Sequence, residues 1–425
     1  MNETCAAARL VAAPDLVLEP FLEPATRRPA VRRLAVPRLT GSPALYLLAS
    51  LIVSLLAASA APTPLYATYQ EHWGFTPITT TVVFGVYAMA VLAALLTFGR
   101  LSDHVGRRPV LLAALAVQAG ALLVFTDATG VPGLLAARII QGLSTGAALG
   151  AIGAGMLDID RQRGTLANAM SPGLGTGTGA LLSGLAVRFL PAPTHLIYLA
   201  LLGVLVVQAS GVALMRETVT RSPGALASLV PDVRLPRSVR PALLAAAPVL
   251  FAVWALAGLY GALGPALVQA LTGSADVVLG GLSLTVLTAA AVGSIFALRA
   301  VAASAVLLTG IGALVAGVAV TLLALTLRSP AVFFAGTAIS GVGFGSGFQG
   351  GIRLVVPRAA PHERAGVLSL LFVVSYLGMG IPAVAAGFLA VHGAGLVGAA
   401  RYYGAALIVL ALLALSALLR ERRTS

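Results

Sequence analysis

The sequence predicts an all-α membrane protein whose twelve transmembrane helices form two pseudo-symmetric six-helix halves. Three observations predict it. Of 425 residues, 59% are hydrophobic and 10% charged, with a mean hydropathy of +0.98. A soluble domain commonly carries about 25% charge to cover its surface, so this chain has lipid as its solvent. Apolar runs of about twenty residues recur along it, long enough to cross a bilayer at roughly 1.5 Å per residue. A polar segment near the middle leaves six such runs on either side.

Taken in order, residues 1–42 hold Pro and Arg and no long apolar run. Val11–Leu22 is broken by Pro14, Asp15 and Glu19, so it does not form a signal peptide. The reading is a disordered cytoplasmic tail. The spans fall at about 44–66, 77–98, 109–127, 131–156, 165–189 and 194–215, then 241–270, 277–298, 300–326, 330–356, 365–390 and 396–419. Domain bounds follow: a first bundle over 43–216, a cytoplasmic linker over 217–240, a second bundle over 241–420 and a short tail over 421–425. Pro62 and Pro64 should kink or end the first span. Arg299 alone marks the turn between spans eight and nine.

All 27 basic residues are arginine, and the net charge is +13. They lie between apolar runs rather than along one stripe, which excludes a basic groove and a nucleic-acid partner. With the N-terminus inside, Arg27, Arg28, Arg32, Arg33 and Arg38 fall in the cytoplasm. So do Arg100, Arg107, Arg108, Arg161 and Arg163, the linker arginines, Arg299, Arg353, Arg358 and Arg364, and the final three. Only Arg188, Arg328 and Arg401 fall outside. The positive-inside rule therefore places both termini in the cytoplasm. The single Cys5 excludes disulfides and cysteine metal sites, and the five His lack metal-ligand spacing. No metal and no cofactor are expected.

The halves carry an internal echo. Leu174-Gly175-Thr-Gly177-Thr-Gly179-Ala180 followed by Gly184 matches Leu377-Gly378-Met-Gly380-Ile-Pro382-Ala383 followed by Gly387. Both lie in the fifth span of their half. Gly142 and Gly146 likewise match Gly341 and Gly345 in the fourth span. Duplicated six-span units are an architecture of alternating-access carriers.

Between spans two and three lies Gly99-Arg-Leu-Ser-Asp103-His-Val-Gly106-Arg107-Arg108-Pro109. It resembles the G-x-L-x-D-x-x-G-R-R/K signature of the major facilitator superfamily, in the loop where that family carries it. Arg138-Ile-Ile-Gln141-Gly142 resembles the family's R-x-x-Q-G motif in span four. The resemblance covers roughly residues 44–420 and implies the fold of that family. Gly99 and Gly106 suit a sharp turn. Asp103 has Arg100 and Arg107 within reach, or a helix N-terminus, where an anion gains about 0.3–1 kcal/mol. The resemblance implies that this loop latches the halves in one access state, biasing their equilibrium. The second half has no good copy, since Arg299-Ala-Val-Ala-Ala-Ser304 lacks an acid.

Arg138 lies within a span, where an arginine facing lipid costs at least about 2.5 kcal/mol. It should face the bundle interior. Family resemblance implies a part in proton coupling or substrate binding for Arg138 and Gln141; hydrogen bonding between helices is the bland alternative. In span five, Gly175, Gly179 and Gly184 supply small residues for close helix packing. This stretch resembles the family's antiporter motif but departs from it at Ala180, where the motif has proline.

Two literal motifs are rejected. Gly142-Leu-Ser144-Thr-Gly146 sits in an apolar span without the strand-to-helix turn of a hydrolase elbow. Gly345-Ser-Gly347-Phe-Gln-Gly350 lacks the strand and helix N-terminus of a dinucleotide site. The chain is not read as an enzyme.

No span holds Asp or Glu near its middle; Glu71, Asp127 and Asp276 sit at outer ends. A neutral, amphipathic or anionic cargo is favoured over a strongly cationic one. By resemblance the first and fourth spans of each half line a cavity. Candidates there are Tyr66, Gln141, Trp254, Tyr260, Phe344 and Gln349, with Tyr87 and Tyr376 from neighbouring spans. The expected function is secondary active export of a small amphipathic compound across the cytoplasmic membrane, with the proton gradient as energy source; the oligomeric state stays open, a monomer among the options. Nutrient uptake is one alternative, and a non-transporting membrane receptor or assembly factor is another.

Overall fold

The protein is described by a computed structural model over residues 38–424, apart from 234, 275 and 361. Most of the expected N-terminal tail, with Cys5 and Arg27 to Arg33, lies outside the described residues. So do Arg234, Ser425 and the side chains of Arg420, Arg422 and Arg423.

Twelve long helices follow one another. They are α1 (Ser42–Trp73), α2 (Pro77–Val105), α3 (Arg107–Thr126), α4 (Val131–Ile159), α5 (Arg161–Phe189) and α6 (Pro193–Leu214). The second set is α7 (Arg240–Thr272), α8 (Val277–Ala297), α9 (Ala303–Leu327), α10 (Pro330–Val355), α11 (Arg364–Val391) and α12 (Gly395–Thr424). Eleven are long and apolar enough to cross a membrane. The twelfth, α5, is 29 residues long and departs in composition alone. It places glycine, serine and threonine where the others place leucine and valine, because it is wedged between α1 and α8. The chain is a multi-pass helical membrane protein.

The prolines of α1 act as expected on bonding and differently on length. Pro62 has no N–H to give to the carbonyl of Ala58, one turn back. Helical assignment is interrupted at Ala61, yet Ala61 keeps helical angles (φ −54°, ψ −40°) and the chain resumes as Pro62–Trp73. The bonding of span one is therefore interrupted at Ala61, and the span reaches Trp73 instead of ending near residue 66.

Each half has its own apolar core. Leu48, Leu55, Leu111, Leu122 and Ile152 lie in the first. Val249, Leu256, Leu287, Leu314 and Phe333 lie in the second. The halves meet along α2 against α11 and along α5 against α8. A third apolar cluster, with Tyr87 and Val91 of α2 and Tyr376 and Met379 of α11, sits on the first seam.

The repeat predicted from glycine spacing is present in contacts. Gly175 and Gly378 face the first helix of their own half: a Cβ would stand 2.5 Å from the Val53 carbonyl in one and 2.7 Å from the Phe251 carbonyl in the other. Gly177 and Gly380 face the second helix of the opposite half, at Thr288 and Met89. Gly184 and Gly387 do the same, at Val278 and Thr81. Gly179 rests on the Ala57 backbone of α1. One stretch of α5 thus serves two partners, its own bundle and the facing one.

Candidate functional site

The signature loop closes the arginine-rich end of the first half. Gly106 adopts φ +110°, a conformation that glycine tolerates and L side chains rarely adopt. Gly99 is different: it is helical (φ −56°, ψ −31°), so the expected sharp turn is not made there. Close approach to α4 here comes from Gly150, whose Cβ would stand 2.9 Å from the Gly99 carbonyl.

Arg107 is the hub of the loop. It is buried, pairs with Asp103, donates from Nε to Asp158 at 3.2 Å and from Nη1 to Ser102 Oγ at 2.7 Å. Asp103 itself is half exposed. Glu217, just beyond α6, accepts from the backbone N–H groups of Arg107 (2.9 Å) and Arg108 (3.0 Å) at the start of α3. The helix N-terminus considered for Asp103 is therefore occupied by Glu217, with the charge sign that the helix dipole favours. Arg100, the other expected partner of Asp103, pairs with Asp232 at 3.2 Å. His104 Nδ1 lies 3.1 Å from Ser222 Oγ, and Ser222 N–H donates to the His104 carbonyl at 3.0 Å. These partners all belong to the first half or to the connection between halves. That connection is docked on the loop, and its Ala227–Leu229 turn rests on α2.

Arg138 and Gln141 meet in a buried cluster. Arg138 is 0% exposed. It donates to Tyr66 Oη from Nε (3.1 Å) and Nη2 (2.7 Å), and from Nη1 to the Ser59 carbonyl (2.7 Å) and Gln141 Oε1 (2.8 Å). Gln141 Nε2 donates to the Ala58 carbonyl at 3.1 Å. That is the carbonyl Pro62 leaves without its helical donor, so Gln141 restores the bond that the proline removes. Rings surround the guanidinium, with Tyr87 at 5.1 Å and Tyr66 and Phe125 at 5.8 Å. No carboxylate pairs with Arg138 among the described residues. The charge is held by neutral dipoles and aromatic faces. Neither the Ala58 bond nor the ring set is legible as a partner list in the sequence, although Pro62 signals that one carbonyl needs a donor.

The predicted cavity residues separate into three places. Tyr66 lines a cavity of about 390 Å³ between the halves, at the face away from the arginine-rich end, with Thr80, Pro265, Gln269 and Asp276. Arg188 on α5 bridges to Asp276 before α8 at 3.0 Å on that side, a cross-half ion pair the sequence reading did not foresee. Trp254, Phe344 and Tyr376 come together, joined by Phe348, which the reading missed. The Trp254 ring lies 4.9 Å from Tyr376, 5.4 Å from Phe348 and 6.1 Å from Phe344. Tyr87 belongs to the same seam cluster as Tyr376, and Gln349 follows Phe348 on α10, half-buried. Tyr260 stays apart: it is buried inside the second half, bonded to Thr321 (3.2 Å) and Thr337 (3.1 Å).

These features define a class: a two-bundle membrane transporter with a signature loop on one face and a polar core in one half. The Major Facilitator Superfamily profile matches residues 46–327, and the chain belongs to that family. It is accordingly a transporter rather than an enzyme, with a small molecule as cargo. An uncharacterized transporter of Rickettsia bellii is 34% identical over 82 residues, a match spanning 19% of this chain and 20% of that one. A mutant of the nucleoside transporter NupG is similar in structure at TM-score 0.68 and 12% identity, covering 88% of this chain and 98% of that one. The human organic anion transporter MFSD10 is similar at TM-score 0.62 and 17% identity, covering 87% and 98%.

Proposed function

We propose that this protein is a secondary carrier of the cytoplasmic membrane that works by alternating access, with both termini in the cytoplasm, and that it exports a small amphipathic compound on the proton gradient. The observation that carries the alternating-access part is the pair of seams. Two related bundles touch through small residues at equivalent positions, Gly177 and Gly184 on one seam and Gly380 and Gly387 on the other. Such seams let one bundle rock against the other without unpacking either core.

Cargo binds between the halves, against Trp254, Phe344, Phe348 and Tyr376 with Tyr87 opposite. The Arg138 cluster holds α1 by its Ala58 and Ser59 carbonyls and links it to the Tyr66 cavity, so a movement of α1 reaches the cargo site. The signature loop and Glu217 hold the arginine-rich end of the first half; Arg188 and Asp276 close the other face in this state. The structural relatives are named for a nucleoside and an organic anion, and a site with hydrogen-bond donors and a buried arginine accepts either class. Everted vesicles test direction and energy source. Export requires uptake into them that collapses with an uncoupler; uptake only into right-side-out vesicles overturns export and favours the symporter reading.

A further inference from the structure

The aromatic cluster of the second half has a chemical selectivity of its own. Trp254, Phe344, Phe348 and Tyr376 come from three helices, α7, α10 and α11, and all but Tyr376 are only partly buried. Their rings form one edge-to-face and tilted set, with Phe372 a further 6.5 Å from Tyr376. Such a wall offers ring edges and faces to a flat guest. Within it, Trp254 Nε1 is buried and has no acceptor among the described residues. The Tyr376 hydroxyl makes no hydrogen bond among them either. Indole nitrogen can only donate, and a buried donor without an acceptor costs free energy that a guest supplying one would recover.

Charge points the same way. The carboxylates that would pair a cation are absent from this cluster. Across the seam stands Arg138, fully buried and without a carboxylate partner among the described residues, its guanidinium 5.1 Å from the Tyr87 ring. Tyr87 and Tyr376 share one cluster. A positive charge held only by neutral dipoles in a low-dielectric interior raises the potential at its neighbours. Aromatic rings alone attract cations, but an indole N–H that can only donate and a buried arginine oppose one.

We infer that the cargo is a planar aromatic compound bearing a carboxylate or other hydrogen-bond acceptor, with its ring on the Trp254–Phe344–Phe348–Tyr376 wall and its acceptor on Trp254 Nε1 and Tyr376 Oη. This rests on the carrier reading above and names the class of cargo for that site.

The chain has two tryptophans, Trp73 and Trp254. Trp73 stacks on Tyr69, 4.7 Å away, outside the cluster. In Trp73→Phe protein, Trp254 is then a single fluorescent reporter inside the proposed site. Three probes separate ring from charge: 4-nitrobenzoate, 4-nitrobenzyltrimethylammonium and cyclohexanecarboxylate. The expected result is saturable quenching by the aromatic acid, with half-saturation at least about tenfold lower than for the aromatic cation. Cyclohexanecarboxylate should displace the aromatic acid at least about tenfold more weakly than the acid displaces itself. Trp254→Phe keeps a ring and removes the donor; calorimetry should show about a fivefold or greater loss of 4-nitrobenzoate affinity with an unchanged circular dichroism spectrum. Equal binding of the cation, equal binding of the alicyclic acid, or no saturable quenching overturns the inference. A Phe344→Cys variant in a Cys5→Ser background keeps the two readings distinct. If a membrane-impermeant thiol reagent labels it from either face, the carrier site stands even where the cargo class fails.

Discussion

The two halves share a frame and differ in what they place inside it. At Gly142 and Gly341, the fourth helix of each half rests on its second, against the carbonyls of Tyr87 and Leu287. One turn before Gly142 stands Arg138; one turn before Gly341 stands Thr337. In the first half this position gives a buried cation bonded to Tyr66, Gln141 and the Ser59 carbonyl of α1. In the second it gives a neutral hydroxyl chain, Thr337 to Tyr260 to Thr321, beside a void of only about 20 Å³. Duplication explains the frame, and the divergence concentrates charge in one bundle. The lesson is that equivalent positions can be interchangeable for packing and unlike in function.

Four experiments break or sharpen that contrast. Arg138→Ala should have the largest effect. It strands the Tyr66 hydroxyl, the Ser59 carbonyl and Gln141 Oε1 in an apolar interior, each costing about 1–3 kcal/mol. Transport in proteoliposomes should fall to the level of empty liposomes, and Arg138→Lys should not restore it, because a point charge cannot serve three partners set out for a fork. Wild-type transport from either variant would return Arg138 to plain packing.

Next, Gly175→Leu and Gly378→Leu test the shared frame. Each inserts a side chain against the backbone of the first helix of its half, at Val53 and at Phe251. Overpacking at such a contact costs about 1–3 kcal/mol or more. Both should lower the thermal midpoint of the purified protein by similar amounts. A large drop for one and none for the other would show that the echo in sequence is not an echo in load.

Asp103→Asn should be smaller and of another kind. Asp103 is exposed, and Arg107 keeps Asp158 when the Asp103 charge is lost. Asp103 sits on the solvent side of the pair, and a pair open to water contributes roughly 0–1 kcal/mol; with Arg107 still bonded to Asp158 and Ser102, membrane levels should stay near normal. Transport rate should change several-fold if the loop sets the balance of access states, since about 1 kcal/mol shifts a two-state equilibrium about fivefold. An unchanged rate removes the latch role. Thr337→Val should be the mildest, costing about 1 kcal/mol for one hydrogen bond and leaving transport within about twofold. If Thr337→Val instead silences transport, the two cores are functionally alike and the contrast is wrong.

Parts of the site were legible in the sequence for physical reasons. The signature loop is local: Gly106 must turn, and Asp103 and Arg107 lie four residues apart on either side of that turn, so a pairing between them is within short reach of the chain. Arg138 had to face inward because lipid rejects it. Trp254, Phe344 and Tyr376 were expected near a cavity and do meet. Phe348 was missed although it lies one turn from Phe344 on the same helix face. Glu217 and Asp232 were missed for a different reason. They sit 110 and 132 residues from the groups they bind, and an acid in a linker shows no preference in sequence for one arginine over another. Tyr260 was placed in the cavity by helix number alone; its rotation about α7 turns it into its own half.

What the sequence by itself determined is the solvent, the number and order of the helices, and the twofold echo. All of these follow from composition and periodicity, which act along the chain. Tertiary structure alone decided that Gln141 repairs the carbonyl opened by Pro62. It also decided that Glu217 rather than Asp103 caps α3, that Arg188 and Asp276 tie the halves at one face, and that an indole N–H at the seam is left without an acceptor among the described residues. Hydrogen bonds and ion pairs are short-ranged, so they are settled only when packing brings distant segments to within about 3 Å.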